Sequence, residues 1–447
     1  QDLEFKGCHP LPASHESMNN LPSLLLPSGI RHLLPRSPKR VVIVGGGPIG
    51  MFCAERLRHH FQVTLVDSKE FFEFTPGVLR GLVDPTHMRK ITFKYQKVLE
   101  HDLGVEFVQG EANRVKPARS GPLSSGVVDL APLHGVPRQL HFDYCVVAVG
   151  VSNGLWKPRL EGEPDPMAMP VPKGEGGSQA GVGIKAERIS VIDERQLEAR
   201  FSRLRSVRER LASAKNAIIV GAGLVGVELA GELCHFFPRL KVRLVDGAPS
   251  VLPQLAEGAR KYAHTWLREQ GVSLKLGAPF RPEMVSEEDL VLWCVGTCPR
   301  SSALFEDKSV LRSNGQIRVN RSMQVIGKSV DEPVGGGRIF AVGDVAKVDD
   351  VPMAQTIFHG EEMGAVAVAN IEASEDVNPV ANTKRQIESL PLMCVVSLGP
   401  REGIFSTQSD MVMSGPLVAL QKQVIEDTKM SATQGGLVSS LLWMPIH

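Results

Sequence analysis

The chain lacks any apolar run long enough to cross a bilayer; the nearest is the short C-terminal stretch "GLVSSLLWMPI", well under the ~20 residues a spanning helix needs. It lacks a charge excess. Fifty Lys and Arg stand against 49 Asp and Glu, a net charge of +1, so there is no basic footprint for nucleic acid. It also lacks a disulfide pattern. Seven cysteines, an odd number, are scattered at Cys8, Cys53, Cys145, Cys234, Cys294, Cys298 and Cys394. Most sit in apolar strand or helix contexts, as small buried hydrophobes do, and such a set points to a reducing compartment. What remains is an ordinary soluble α/β composition: 447 residues, 43% hydrophobic and 22% charged. That length supports two or three domains with full cores.

Against this background two segments stand out: "RVVIVGGGPIGMFCAERL" and "NAIIVGAGLVGVELAGEL". Each is an apolar run, then G-x-G-x-x-G, then an amphipathic stretch, which reads as strand, tight turn and helix. In the first, Gly45 allows the sharp turn, Gly47 leaves room for a pyrophosphate and Gly50 lets the helix pack closely on the sheet. Pro48 suits an early helical position, and Ile49 lies between it and Gly50. The pyrophosphate would sit at the helix N-terminus, where free N–H groups and the dipole favour anions. The strand "QVTLVD" follows and ends in Asp67, placed to accept from an adenosine ribose. The second unit repeats the arrangement with Gly221, Gly223, Leu224, Val225, Gly226 and Asp246, the last closing "KVRLVD". Two complete units in one chain predict two bound dinucleotides.

Other segments organise the rest. "HFDYCVVAVG" predicts a buried strand ending at Gly150, and "LVLWCVGTCPR" one ending near Gly296; such strands carry a chain between nucleotide domains. "GRIFAVGDVA" predicts a strand that stops at Gly343 and Asp344. There Asp344 could bond a ribityl chain or a phosphate-bound water, or equally serve as a helix N-cap. The Pro/Gly-rich stretch 161–185 reads as a loop, and "DERQLEARFSRLRSVRERLASA" after it as a helix. The first forty residues, rich in Pro, Ser and Leu and beginning at Gln1, read as an extended arm. It is either the remnant of an organelle-targeting region or a plain flexible tail.

In this order the segments resemble the two-dinucleotide flavoprotein superfamily of pyridine-nucleotide oxidoreductases. Within it, "EFFEFTPGVLRGLVDP", "GVELAGEL", "VPMAQTIFHGEEMGAVAVANI" and "LPLMCVVSLGPREGIF" are similar to segments of two groups. These are the type II NADH:quinone oxidoreductases and the apoptosis-inducing-factor-like ferroptosis suppressor flavoproteins. The resemblance covers residues 39–405 or so. It implies FAD in the first site, NADH in the second with NADPH less favoured, and a quinone-like acceptor. It places Glu228 near the nicotinamide side of the flavin, although on its own Glu228 reads equally as a first-turn carboxylate favoured by the helix dipole. Thr75 and Pro76 match flavin-lining positions. Gln355, after Ala354, matches the quinone-side motif. His359 stands where relatives often carry a second Gln; a His there could hand a proton to a reduced quinone. Disulfide reductases of the superfamily have C-x4-C after the first acidic strand; "SKEFFEFTPGVLR" has no Cys, so electrons would leave the flavin directly. Cys294 and Cys298 read as packing residues.

The expected fold is α/β, with two Rossmann-like dinucleotide-binding domains of the FAD/NAD(P)-binding type plus a C-terminal segment. The expected layout is an arm (1–38), a first FAD part (39–150), a linker (151–189), an NAD(P)H domain (190–300), a second FAD part (301–390) and the C-terminal segment (391–447). In that last segment Leu417, Leu420, Val424 and Ile425 recur at helical spacing. They form either an interfacial helix for peripheral membrane contact or a face packed on the protein's own core or a partner; a homodimer or assembly partner stays open. The alternative to an enzyme is an enzyme-derived, FAD-binding structural subunit of a large organellar assembly, in a mitochondrion or plastid.

Overall fold

The computed structural model describes residues 38–118, 125–131, 138–152, 194–286, 288–375, 384–407 and 410–436. The expected N-terminal arm up to residue 37, the 161–185 loop and the C-terminal stretch from residue 437 on lie outside the described residues. All the elements below lie within Lys39–His447.

The run "RVVIV" has no polar alternation, and it folds as β1 (Arg40–Val44), in which Val41, Val42, Ile43 and Val44 are all buried. That is the pattern of a parallel strand covered on both faces. Helix α1 (Pro48–Leu57) follows with Pro48 in its first turn, and β2 (Gln62–Asp67) pairs parallel with β1. After a short helix α2 (Val78–Val83), β3 (Glu106–Gln109) adds to β2. An antiparallel three-stranded ribbon over 111–142 leads to β4 (Tyr144–Val147), on the other side of β1. β4 ends three residues before Gly150, earlier than the sequence predicts.

Helix α3 (Leu197–Ser213) opens the next stretch, and the second unit then repeats the first. β5 (Asn216–Val220), α4 (Leu224–Phe236), β6 (Lys241–Asp246), α5 (Glu257–Glu269), β7 (Ser273–Leu276) and β8 (Asp289–Trp293) form a parallel sheet of order β7-β6-β5-β8. The chain then returns to the first sheet. β9 (Ile339–Ala341) pairs parallel with β4, giving the order β9-β4-β1-β2-β3.

Helix α6 (Ile357–Ser374) lies against α1. The approach is close because two of its contact residues are glycines: a Cβ on Gly360 would stand 2.7 Å from Ile49 Cδ1, and one on Gly364 3.0 Å from Phe52 Cδ1. The C-terminal segment is an antiparallel sheet, β10 (Met393–Ser397), β11 (Gly403–Thr407) and β12 (Val412–Ser414), followed by α7 (Pro416–Thr433). It seats on α4 at Gly231, where a Cβ would be 2.5 Å from Gly399 N. Helix α7 buries Val418 and Met430 and turns Leu417, Leu420 and Val424 outward, while Ile425 is half-buried.

Candidate functional site

The two glycine loops have one geometry. Gly45 has φ +104° and Gly221 φ +113°, a conformation that side chains resist. A Cβ on Gly50 would collide with the Gly45 carbonyl, and one on Gly226 with the Gly221 carbonyl, so these two glycines let each helix sit against its strand. At Gly47 and Gly223 the opposite holds: a Cβ would meet nothing within 4 Å. These two are the caps of α1 and α4, and neither helix has a side-chain cap or an acid in its first turn. Each helix therefore presents uncapped N–H groups to open space, an environment suited to a phosphate. Pro48, Ile49, Leu224 and Val225 are half-buried around these openings.

The acids close the loops. Asp67 Oδ2 accepts from Gly46 N (2.8 Å) and Oδ1 from Lys69 N (2.9 Å). Asp246 Oδ2 accepts from Ala222 N (2.6 Å) and Oδ1 from Ala248 N (2.7 Å). A carboxylate has about four lone-pair sites, so each acid keeps capacity for a ribose hydroxyl. The residues present fit two dinucleotides.

A cavity of about 370 Å³ lies beside the first loop, lined by Gly343, Asp344, Ala354, Gln355, Gln316, Lys347 and Thr297 among others. Gly343 (φ +73°) touches Ile49; a Cβ there would be 3.3 Å from Ile49 Cγ1. Asp344 stands inside the short turn Gly343–Val345, whose cap is Val342, so it is not an N-cap. Gly150 (φ +62°) and Gly296 (φ +75°) each precede a two-residue strand. These strands, Val151–Ser152 and Cys298–Pro299, pair antiparallel with each other.

Glu228 and His359 are not among the residues lining that cavity. Glu228 stands in the second turn of α4, not the first, and the C-terminal segment holds it. Its Oε1 accepts from Ser397 N (2.8 Å), Ser397 Oγ (3.2 Å) and the Lys422 ammonium. One turn on, Glu232 takes Arg80 from α2 at 2.9 Å. Both contacts border a small cleft that Pro76 also lines; Thr75 lies in the turn Thr75–Gly77 just before α2. His359 is 1% exposed. Its Nδ1 lies 2.7 Å from the Thr356 hydroxyl, and the ring also bonds the Leu390 carbonyl. Burial holds its pKa below the ordinary histidine value, so the imidazole is neutral near pH 7.

Burial pushes the Cys53 thiol up to about 12 and those of Cys234 and Cys394 to about 11, which makes them poor nucleophiles. Cys294 packs against the core, but Cys298 is exposed, contrary to the packing role expected for it. No local pattern marked Lys422, Ser397 or Arg80 as partners of the α4 acids, or Gln316 and Lys347 as cavity residues.

The chain is similar to curated and solved proteins over most of its length. Apoptosis-inducing factor homolog A of Dictyostelium discoideum is 24% identical over 408 residues, covering 83% of this chain and 86% of that protein. The type II NADH:quinone oxidoreductase of Staphylococcus aureus is 23% identical over 437 residues, 89% of this chain and 96% of the relative. Among solved structures, NDH2 from Plasmodium falciparum in complex with NADH superposes with a TM-score of 0.63 at 12% identity, covering 89% of this chain and 98% of that one. The sulfide:quinone oxidoreductase of Aquifex aeolicus gives 0.61 at 16% identity, covering 89% and 92%. The family described as pyridine nucleotide-disulphide oxidoreductase matches residues 39–365. With two phosphate-ready glycine loops, an acid behind each and that match across most of its length, the chain belongs to this family of oxidoreductases.

Proposed function

We propose that the chain is an FAD-dependent NADH oxidoreductase that passes electrons to a quinone-like acceptor. The observation that carries the reading is the duplicated loop, with an uncapped helix terminus and a loop-bracing acid in each copy. In this reading residues 39–150 and 301–390 hold FAD, and residues 190–300 hold NADH. The return of β9 to the first sheet supports that division. FAD, when bound, accepts hydride from the nicotinamide and passes the electron pair on.

The chain's own residues do the holding. Gly45, Gly47 and Gly50 admit the FAD pyrophosphate, and Asp67 accepts from its ribose. Asp344 and Gln355 face the cavity beside that loop. Gly221, Gly223, Gly226 and Asp246 do the same for NADH, and the Asp246 carboxylate repels a 2′-phosphate, so NADH is preferred over NADPH. Glu228, anchored by Lys422, ties the C-terminal segment to the nucleotide helix.

The test is direct. The purified chain is expected to be yellow, and anaerobic NADH to bleach it faster than equal NADPH. A short-chain quinone is then expected to restore the colour. Colour without bleaching would replace this reading with that of a structural FAD subunit; a colourless protein would remove its basis.

The C-terminal helix supports contact with a membrane surface, where a lipid-soluble acceptor resides. No helix among the described residues is long and apolar enough to cross a membrane. Leu417, Leu420 and Val424, however, are 77, 60 and 52% exposed on one face of α7, with Met411 and Met413 exposed at β12. Replacing the three α7 residues with Ser is expected to lower sedimentation with phosphatidylcholine vesicles by about tenfold or more. Reduction of a water-soluble quinone is expected to be unchanged. Equal sedimentation of variant and parent would sink the membrane reading.

A further inference from the structure

The first loop reads G-G-G and the second G-A-G, and the structure supplies a reason for the difference. In both loops the residue between the first two glycines is held from two sides. Gly46 donates its N–H to Asp67, and its carbonyl accepts from the Tyr95 hydroxyl at 2.7 Å. Ala222 donates its N–H to Asp246, and its carbonyl accepts from the Leu252 backbone N–H at 2.8 Å. Leu252 reaches that position with φ +49°. One loop is thus latched by a side-chain hydroxyl, the other by the main chain. A Cβ on Gly46 would stand 2.5 Å from the Tyr95 hydroxyl, so the hydroxyl latch demands glycine at 46 while the second loop admits alanine.

Tyr95 is held for this task. It is fully buried, its ring lies 4.9 Å from Phe107 and edge-on to Phe93, and its own N–H donates to the Glu70 carbonyl at 3.0 Å. Burial first, then the nearby Asp67 and Glu73 carboxylates, holds the phenol well above its ordinary pKa, so the hydroxyl keeps its proton. A trans peptide points its C=O and the next N–H in opposite directions. With the Gly46 carbonyl fixed on Tyr95, the Gly47 N–H is turned the other way. Gly47 caps α1, and the space around it is open.

We propose that Tyr95 is a positioning residue for the first dinucleotide: its hydroxyl fixes the Gly46–Gly47 peptide so that the Gly47 N–H faces the phosphate. This rests on the reading that FAD occupies the first loop.

The test uses Tyr95→Phe in the full chain, stripped of flavin and titrated with FAD by fluorescence quenching at a temperature where parent and variant are both folded. The expected result is an FAD Kd raised about tenfold or more, with the same factor for ADP, which carries the pyrophosphate. NADH affinity at the second loop stays within twofold. Incorporating 4-aminophenylalanine at 95 restores a donor and is expected to bring the FAD Kd back to within threefold of the parent. If the phenylalanine variant does not fold, 4-aminophenylalanine against 4-methylphenylalanine makes the same comparison at matched size. An FAD Kd within twofold of the parent in the donor-less variant would overturn the proposal. A parent that binds no FAD would instead sink the reading beneath it.

Discussion

Gly45→Ala is expected to yield a colourless protein, whereas Gly221→Ala is expected to yield a yellow one that NADH no longer bleaches. A Cβ on Gly45 would stand 2.6 Å from the Ala148 carbonyl oxygen and 2.8 Å from Val149 Cα, in a backbone conformation (φ +104°) that L side chains rarely adopt. A Cβ on Gly221 would stand 2.6 Å from Val295 Cγ1 and 2.9 Å from the Cys294 carbonyl at φ +113°. The colliding backbone follows directly on β4 and β8 and is tied back to the neighbouring strands, Ala148 N to the Val44 carbonyl (2.7 Å) and Cys294 N to the Val220 carbonyl (2.8 Å). The loop must move instead. With strain and collision together near 3 kcal/mol, the affected nucleotide loses on the order of a hundredfold in affinity. Visible absorbance after gel filtration and anaerobic stopped-flow read the two outcomes separately. Full flavin retention by Gly45→Ala would contradict the assignment of the first loop.

Arg200→Met is expected to be the most destabilising substitution in α3, by about 3–5 kcal/mol. Arg200 is 1% exposed. Its Nε and Nη2 donate to Glu73 at 2.9 and 3.2 Å, and its Nη1 donates to Glu194 at 2.8 Å. Removing it leaves the buried Glu73 carboxylate without its guanidinium and Glu194 with Arg203 alone, at 3.9 Å. Burial already pushes the Glu194 carboxyl up even with Arg200 present, and without the guanidinium that shift grows. An acid whose folded pKa exceeds its unfolded value binds protons preferentially in the folded state, so it gains stability as pH falls. The deficit of the variant is therefore expected to be largest near pH 8 and to shrink toward pH 5. The triple change Arg200→Met, Glu73→Leu, Glu194→Leu is expected to recover most of the loss. Thermal melts at the two pH values measure it. A variant that melts with the parent at pH 8 would show that the triad carries no such stability.

The two loops and their acids were legible because everything they need is local: an apolar strand, glycines at fixed offsets and an acid one strand later. The α/β class followed from the same segments. The partners were not legible. Glu228 and Lys422 are 194 residues apart, Arg80 and Glu232 are 152 apart, and no periodicity connects them. Tyr95 shows nothing in sequence beyond an aromatic among polar residues in "TFKYQK", although the extra glycine at 46 was a trace of it. His359 illustrates a different loss. The resemblance put His359 where relatives often carry a second Gln, but the burial of its ring was not legible: Thr356 is the N-cap of α6 and His359 its third helical residue, and the ring nitrogen lies against the threonine hydroxyl. Gln355, just before the cap, remains at the cavity.

The return of β9 to the first sheet has a consequence for biosynthesis. On the ribosome, β4 emerges with one edge already paired to β1 and the other bare, and its partner Ile339–Ala341 is made only about 190 residues later. At roughly 5–20 residues per second that interval lasts about 10–40 s. During it the complete β5–β8 sheet can form, while the nascent first sheet carries the open apolar edge Tyr144–Val147, the kind of edge that recruits stray strands. The order of assembly is thus written into the connectivity: the interrupting unit has all its strands first, and the interrupted sheet keeps an open edge until its last strand arrives.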